Sequence, residues 1–329
     1  MIEEELTRRV AAFYPGATGV AGAAKLSGGA SQETWSFDIL HAGGKFGAIL
    51  RRSPKGYGAA PTRAAGLDAE ARLMQLAHDA GLPSPKVLYV LQLEDDLGAG
   101  FVMQRVEGET IARKILRDEQ FVRARPILAR QLGRVAAGIH GLPRDRLPKL
   151  RKMTATREIA ELGREYRSFS WPRPVFELAL RWLTDNDPGP SKDVTLVHGD
   201  FRLGNLVVGP DGVRAVLDWE LAHLGDPMED LGWICVNSWR FGEIDKPVGG
   251  FGSREDLFAG YEEAGRKADP ERVKFWEVMG TLRWGVMCCG MMQRFRTGPD
   301  HSMERAMIGR RASETEIDLL RLLAPRRKP

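Results

Sequence analysis

Residues 196–220 place an aspartate, an asparagine and a second aspartate in polar loops that interrupt short apolar runs. The order is Leu196-Val197-His198-Gly199-Asp200-Phe201-Arg202-Leu203-Gly204-Asn205-Leu206-Val207-Val208, a turn, then Ala215-Val216-Leu217-Asp218-Trp219-Glu220. These residue types suit phosphoryl transfer from a magnesium–nucleotide complex. The transferred group needs a positioned nucleophile and neutralisation of charge on the phosphate oxygens, and little covalent help. Mg²⁺ is a hard ion that takes carboxylate and amide oxygens and keeps several waters. Asp218 and Asn205 can supply such oxygens, and Asp200 can accept a hydroxyl proton. Taken singly, each piece is weak, since an isolated aspartate is more often a turn or cap residue. Their joint order, spacing and strand–loop context carry the reading.

His198-Gly199-Asp200, with Asn205 five residues on and Asp218 a further thirteen, resembles the catalytic segment of aminoglycoside phosphotransferase-like kinases. That family includes choline and fructosamine kinases and is related to protein kinases. The resemblance implies Asp200 as catalytic base, Asn205 and Asp218 as Mg²⁺ ligands, His198 as a residue shaping the loop, and ATP and Mg²⁺ as cofactors. Gly225-Asp226-Pro227-Met228-Glu229-Asp230-Leu231 is similar to the family's continuation, with a helix beginning at Asp230. Asp226 and Asp230 then read as structural caps. The chain also resembles a subset of the family, the kinase-like domains joined to acyl-CoA dehydrogenases, which makes a hydroxylated acyl thioester one candidate acceptor.

Further residues are expected to face the nucleotide. Ser27, Gly28, Gly29 and Ser31 precede a strand, where small residues let backbone N–H groups approach phosphate oxygens. A plain turn accounts for them equally well. No GxxxxGK[ST] segment is present, which disfavours a P-loop enzyme. Leu50-Arg51 aligns with the family's Leu-Lys on the third strand, and Glu70 with its helix glutamate. Strand alternation puts Arg51 on the face of Ile49 and Arg52 on the other, so Arg51 is the cation that enters the cleft. Arginine keeps the charge but is bulkier than lysine and differently hydrated. This departure leaves a nucleotide-binding pseudokinase or scaffold without turnover as the second reading. Residues 101–108 resemble the inter-lobe hinge, with Met103 guarding the adenine pocket and Gln104 and Val106 lending C=O and N–H.

The elements that must position these residues point to an α+β, protein-kinase-like two-lobed fold. An N-lobe over residues 1–105 is expected to hold a first helix at 3–13, strands at 35–40, 46–51, 87–91 and 100–104, and a helix at 62–80 stopped by Gly81 and Pro83. The C-lobe, 106–329, reads as helices at 121–140, 154–168, 174–184, 254–265, 272–295 and 301–323. A β-rich island at 194–197, 206–208 and 213–217 sits between them.

Composition narrows the classes. With 43% hydrophobic and 28% charged residues the chain reads as an ordinary globular protein. The net charge of +4 draws on Arg326, Arg327 and Lys328, and without a basic stripe or module nucleic-acid binding is not expected. The apolar runs fall well short of the roughly 20 residues that span a bilayer, and the acidic N-terminus does not resemble a signal peptide. No membrane partner and a cytoplasmic location are therefore expected. Three cysteines, two of them adjacent, read as reduced core residues. The scattered histidines His140, His223 and His301 receive no role. H-R-D, D-F-G and A-P-E segments are absent, so the expected partner is a small-molecule hydroxyl acceptor and not a protein. Over residues 231–329, 17 Lys/Arg stand against 14 Asp/Glu, which is no acidic sink for a polycationic aminoglycoside. Arg283, Arg294 and Arg296, mixed with Trp and Met, read equally as solvated helix faces or as part of a site for an anionic acceptor.

Overall fold

A computed structural model describes residues 2–26, 32–53, 63–298 and 301–324. Helix α1 (Ile2–Phe13) leads into strands β1 (Ala17–Leu26), β2 (Glu33–His41) and β3 (Gly44–Ser53). Helix α2 (Leu67–Asp79) follows, then β4 (Val87–Val90) and β5 (Ala99–Gln104). The five strands form one antiparallel sheet in the order β1-β2-β3-β5-β4. Strand β1 lies outside the sequence expectation because Gly19, Gly22 and its alanines carry little strand propensity; pairing with β2 holds it in place.

Strand alternation divides the sheet between two apolar clusters. Ala48 and Leu50 of β3 join Leu6, Val10, Phe37 and Val102 under α1. Ile49, on the opposite face with Phe101 and Met103, joins the cluster that runs under α2 and into the helical lobe. Arg51 therefore faces the second lobe. Of the helix expected at 62–80, residue 62 lies outside the described residues and 63–66 precede α2, because Gly66 has φ 90° and Ala65 N–H donates to Glu220 O at 2.7 Å. Residues 65–66 thus reach toward the second lobe before the helix begins.

The second lobe contains α3 (Ala112–Arg117), α4 (Arg125–His140), α5 (Ala155–Ser168) and α6 (Pro174–Asp185). Four short strands follow: β6 (Thr195–Val197), β7 (Leu206–Gly209), β8 (Gly212–Val216) and β9 (His223–Gly225). β6 pairs with β9 and β7 with β8, both antiparallel. The chain closes with α7 (Met228–Trp233), α8 (Arg254–Glu263), α9 (Pro270–Thr297), α10 (Met303–Gly309) and α11 (Ala312–Leu323). Helix α9 is 28 residues long and capped by Asp269, whose side chain accepts from the N–H groups of Glu271 and Arg272. Its Val273, Trp276, Met279 and Leu282 are buried, so the first half of the helix belongs to the core. The single helix expected at 301–323 is broken at Arg310–Arg311 into α10 and α11, both of which pack on α9. The architecture is a protein-kinase-like α+β fold with a small antiparallel sheet in one lobe and a mainly helical second lobe.

Candidate active site

Strand β6 delivers His198-Gly199-Asp200 to the lobe interface. Gly199 has φ 81°, and a Cβ there would lie 2.6 Å from Leu221 O, so the turn requires glycine. The N–H groups of His198 and Gly199 donate to Asp230 Oδ2 and Oδ1 at 2.8 and 2.9 Å. His140 Nε2 donates to Asp230 Oδ2 at 3.0 Å. This corrects the expectation for Asp230: α7 opens at Met228, with Asp226 Oδ1 accepting Met228 N–H at 3.0 Å, while Asp230 lies inside the helix and holds the turn at His198-Gly199. Burial pushes the Asp230 carboxyl up, but the bond from His140 and the loop N–H groups outweigh it and hold the group below its ordinary value. His198 is buried, which lowers its pKa. Its Nδ1 accepts Asp200 N–H at 3.2 Å and its Nε2 faces Leu217 O at 3.1 Å, partners that assign the proton to Nε2.

The Asp200 carboxylate is held on three sides. Its Oδ1 accepts Trp233 Nε1–H at 2.8 Å and Arg202 Nε–H at 2.9 Å, and its Oδ2 accepts Asn205 Nδ2–H at 2.6 Å. Asn205 Nδ2 also donates to Asp200 O at 2.9 Å, so the amide nitrogen is committed to Asp200 and the amide oxygen is left for another partner. Leu217 N–H donates to Asn205 O at 2.8 Å, which ties the segment before Asp218 to the same loop. Asp218 itself has φ 65° and ψ 64°, a left-handed backbone costing a non-glycine residue about 1–2 kcal/mol.

Arg51 meets this acidic wall from the sheet. Its Nη2 lies 2.8 Å from Asp218 Oδ1 and 3.3 Å from Glu220 Oε2, and its Nε lies 3.2 Å from Glu70 Oε2. Glu70 lies within ion-pair distance but makes no hydrogen bond to Arg51, since neither of those two atoms has a hydrogen-bond partner. Burial pushes the Glu70 carboxyl up to about 8; Arg51 opposes the rise, and Asp218 and Glu220 add to it. One guanidinium thus serves three carboxyl groups. Arg52 points away, to Glu33 at 3.1 Å and Leu97 O at 3.2 Å.

The Asp218 carboxylate and the Asn205 amide oxygen fit a hard ion that takes one or two protein oxygens and completes its shell with phosphate oxygens and water. Among the described residues, no group of three His, Cys, Asp or Glu could hold a metal alone, so an ion here would depend on nucleotide phosphates. Met103 is buried opposite Ile49 of β3, and Gln104 N–H donates to Lys86 O at 2.8 Å. Val106 lies just beyond the end of β5. Ser27, Gly28, Gly29 and Ser31 lie outside the described residues.

Sequence reasoning did not find Trp233 and Arg202 as partners of Asp200, nor His140 behind Asp230. Arg202 had a local signal, two positions past Asp200; Trp233 and His140 had none. Arg283 is 8% exposed, which corrects both readings offered for it. It lies 4.2 Å from the Trp233 ring centroid and pairs with Glu229 Oε1 at 2.8 Å, and Glu229 Oε2 accepts His223 Nε2–H at 3.0 Å. It therefore braces the indole that holds Asp200. Arg294 and Arg296 are exposed, the latter 6.0 Å from the Trp171 ring.

Residues 22–276 match the profile of the phosphotransferase enzyme family. Acyl-CoA dehydrogenase family member 10 of Mus musculus is 30% identical over 199 residues, 57% of this chain and 18% of that protein. The chain spans roughly a fifth to a third of the length of the curated relatives it matches. Among solved structures, a putative aminoglycoside phosphotransferase from Ralstonia eutropha superimposes with a TM-score of 0.72 at 22% identity, covering 97% of both chains. A thermostable mutant aminoglycoside phosphotransferase, in a ternary complex with AMP-PNP and hygromycin B, gives 0.62 at 18% identity, covering 97% of this chain and 99% of that one.

Proposed function

The chain belongs to the phosphotransferase enzyme family, and from that premise we propose that it moves the γ-phosphoryl group of ATP, with Mg²⁺, to a hydroxyl of a small molecule. The observation that carries this reading is the Asp200 carboxylate, whose Oδ1 is saturated by Trp233 and Arg202 while Oδ2 carries one short bond from Asn205. An acceptor hydroxyl then approaches Oδ2. Its proton passes to Asp200 as its oxygen bonds to the γ-phosphorus, and the bond to the bridging oxygen of ADP breaks. Asn205 Oδ1 and Asp218 would hold Mg²⁺, which supplies charge neutralisation on the phosphate oxygens. Arg51 would bind the phosphates, and the backbone after Met103 the adenine. We place the lobe boundary at 105/106, where β5 ends and the chain runs on toward α3.

A pseudokinase without turnover is the second reading, favoured by the engagement of Arg51 with Asp218 itself. Among the described residues no helix is long and apolar enough to cross a membrane. An excess of basic over acidic residues across 231–329 argues against polycationic acceptors, and the likeness to acyl-CoA dehydrogenase family members makes a hydroxylated acyl thioester the first acceptor to try. The test is transfer of label from [γ-³²P]ATP across alcohols, sugars, aminoglycosides and hydroxyacyl thioesters. A labelled product formed only with Mg²⁺ supports the kinase reading. Nucleotide binding with no labelled product from any acceptor leaves the pseudokinase.

A further inference from the structure

Helix α7 carries Glu229 and Trp233 one turn apart, and α9 carries Gly280 and Arg283 three residues apart, so each pair shares one face of its helix. The two faces meet. A Cβ at Gly280 would lie 2.8 Å from Trp233 Cε3, so α9 comes too close to the indole to carry a side chain there. Three residues on, the Arg283 guanidinium lies 4.2 Å from the centre of the same ring and 2.8 Å from Glu229 Oε1. Glu229 is fixed in its turn by His223, whose Nε2–H it accepts at 3.0 Å and whose Nδ1 faces Leu221 O at 2.9 Å. The Trp233 indole is thus set by a steric wall on one side and an anchored cation on another, and its Nε1–H donates to Asp200 Oδ1 at 2.8 Å. Arg202, the other donor to Oδ1, lies 4.7 Å from the Trp239 ring, whose centroid is 5.2 Å from that of Trp233.

Stability does not account for this arrangement. Arg283, Glu229 and His223 are all buried. A buried ion pair replaced by apolar side chains of similar volume often leaves a protein equally stable or more so. What the pair supplies is a cation held against an indole face. Burial pulls the Arg283 pKa down, but the carboxylates of Glu229, Glu158 and Asp200 outweigh it and raise it, so the group stays charged. A cation over the ring attracts its electron density and polarises Nε1–H, which makes the indole a stronger donor to a carboxylate.

We propose that Arg283 is a positioning residue for phosphoryl transfer: anchored by Glu229, it acts through the Trp233 indole to hold Asp200 Oδ1, which keeps Oδ2 turned to the acceptor hydroxyl. The inference rests on the kinase reading and adds to it a residue one side chain removed from the base. Trp233 is the sole route by which Arg283 acts on Asp200, so removing the indole N–H makes the arginine irrelevant to the chemical step.

Kinetics on the best acceptor and the indole N–H resonances of ¹⁵N-tryptophan-labelled protein test this together. Arg283→Met should lower kcat about tenfold, the size of one hydrogen bond to a charged group, and leave the KM for ATP within about twofold. Arg283→Lys keeps the cation and should restore kcat to within about threefold of the unsubstituted protein. In a Trp233→Phe background, Arg283→Met should lower kcat by no more than about a further twofold, because the two act as one unit. Independent effects that multiply to about a hundredfold overturn the proposal, as does a KM for ATP that changes while kcat does not. The Trp233 resonance is identified by its absence from Trp233→Phe, and Asp200→Ala gives its position without the carboxylate. Arg283→Met should move it toward that position. Should Arg283→Met fail to fold, Glu229→Gln releases the guanidinium from its anchor and is read in the same way. A resonance left unmoved overturns the proposal whether or not any acceptor is phosphorylated. A resonance that moves in a protein that phosphorylates nothing supports the brace and overturns the kinase reading alone.

Discussion

Replacing Arg51 with alanine removes the one guanidinium shared by Glu70, Asp218 and Glu220. Breaking a buried ion pair by deleting one partner typically costs about 3–5 kcal/mol, because a charge is stranded. Here the cost at neutral pH is reduced, since burial holds the Glu70 carboxyl at about 8 and largely protonated. A loss of about 1–3 kcal/mol at pH 7 follows, or a fall in Tm of roughly 2–6 °C at about 2 °C per kcal/mol for a larger domain. The sign of the pH dependence is fixed. A folded-state pKa above the unfolded value of 4.5 means that stability from this group is full below 4.5 and declines as pH rises to the folded pKa. In the native protein the decline ends near pH 8; without Arg51 the folded pKa rises further and the decline continues. The Tm deficit of Arg51→Ala should therefore widen between pH 6 and pH 9, and Glu70→Gln in the same background should remove most of the widening. Thermal unfolding followed by circular dichroism at both pH values reads this directly. A deficit that is equal at the two values, or larger at pH 6, would refute the reasoning. In the assay the same variant should raise the KM for ATP and lower kcat. Arg52→Ala, which loses contacts with Glu33 and Leu97 on the opposite face, should change neither by more than about twofold.

Asp218→Ala should weaken Mg²⁺-dependent nucleotide binding more than Asn205→Ala, because it removes a charged oxygen and not a neutral one; ATP titrations with and without Mg²⁺ check this, and equal affinities for wild type and Asp218→Ala at every Mg²⁺ level would count against the assignment. Trp233→Phe deletes one donor to Asp200 Oδ1 and should lower kcat about tenfold, the value of one hydrogen bond to a charged group, with the KM for ATP unchanged. An unaltered kcat would mean that the indole does not position the base. Aminoglycosides should be poor acceptors, and a kcat/KM for kanamycin near 10⁴ M⁻¹s⁻¹ or above, the lower end of ordinary enzyme efficiency, would reverse that expectation.

The residues legible in the sequence are those fixed by local rules. Asp200 and Asn205 share one loop, so five residues of spacing bring the amide to the carboxylate at 2.6 Å. Strand alternation separated Arg51 from Arg52, because a pleated strand leaves no other choice. What stayed hidden depends on chain segments distant in sequence. Asp230 looked like a helix cap because nothing nearby reveals that its carboxylate is filled by N–H groups 31 and 32 residues earlier. Trp233 sits 33 residues from the aspartate it holds, and Arg283, read equally as a solvated helix face or as part of an acceptor site, is buried because Glu229 and the Trp233 ring receive it. Helix α2 was extended too far because the periodicity of its apolar positions does not register the tie from Ala65 to Glu220, a contact between lobes.

The role proposed for Asp200 is to take the acceptor proton during phosphoryl transfer. Its most direct test is Asp200→Ala, with kcat for γ-phosphoryl transfer measured on the best acceptor and MgATP affinity measured alongside on the same folded preparation. A fall in kcat of about 10²–10⁴-fold is expected, the range of general base catalysis, with MgATP affinity nearly unchanged. A near-normal kcat in a preparation free of wild-type enzyme would contradict it.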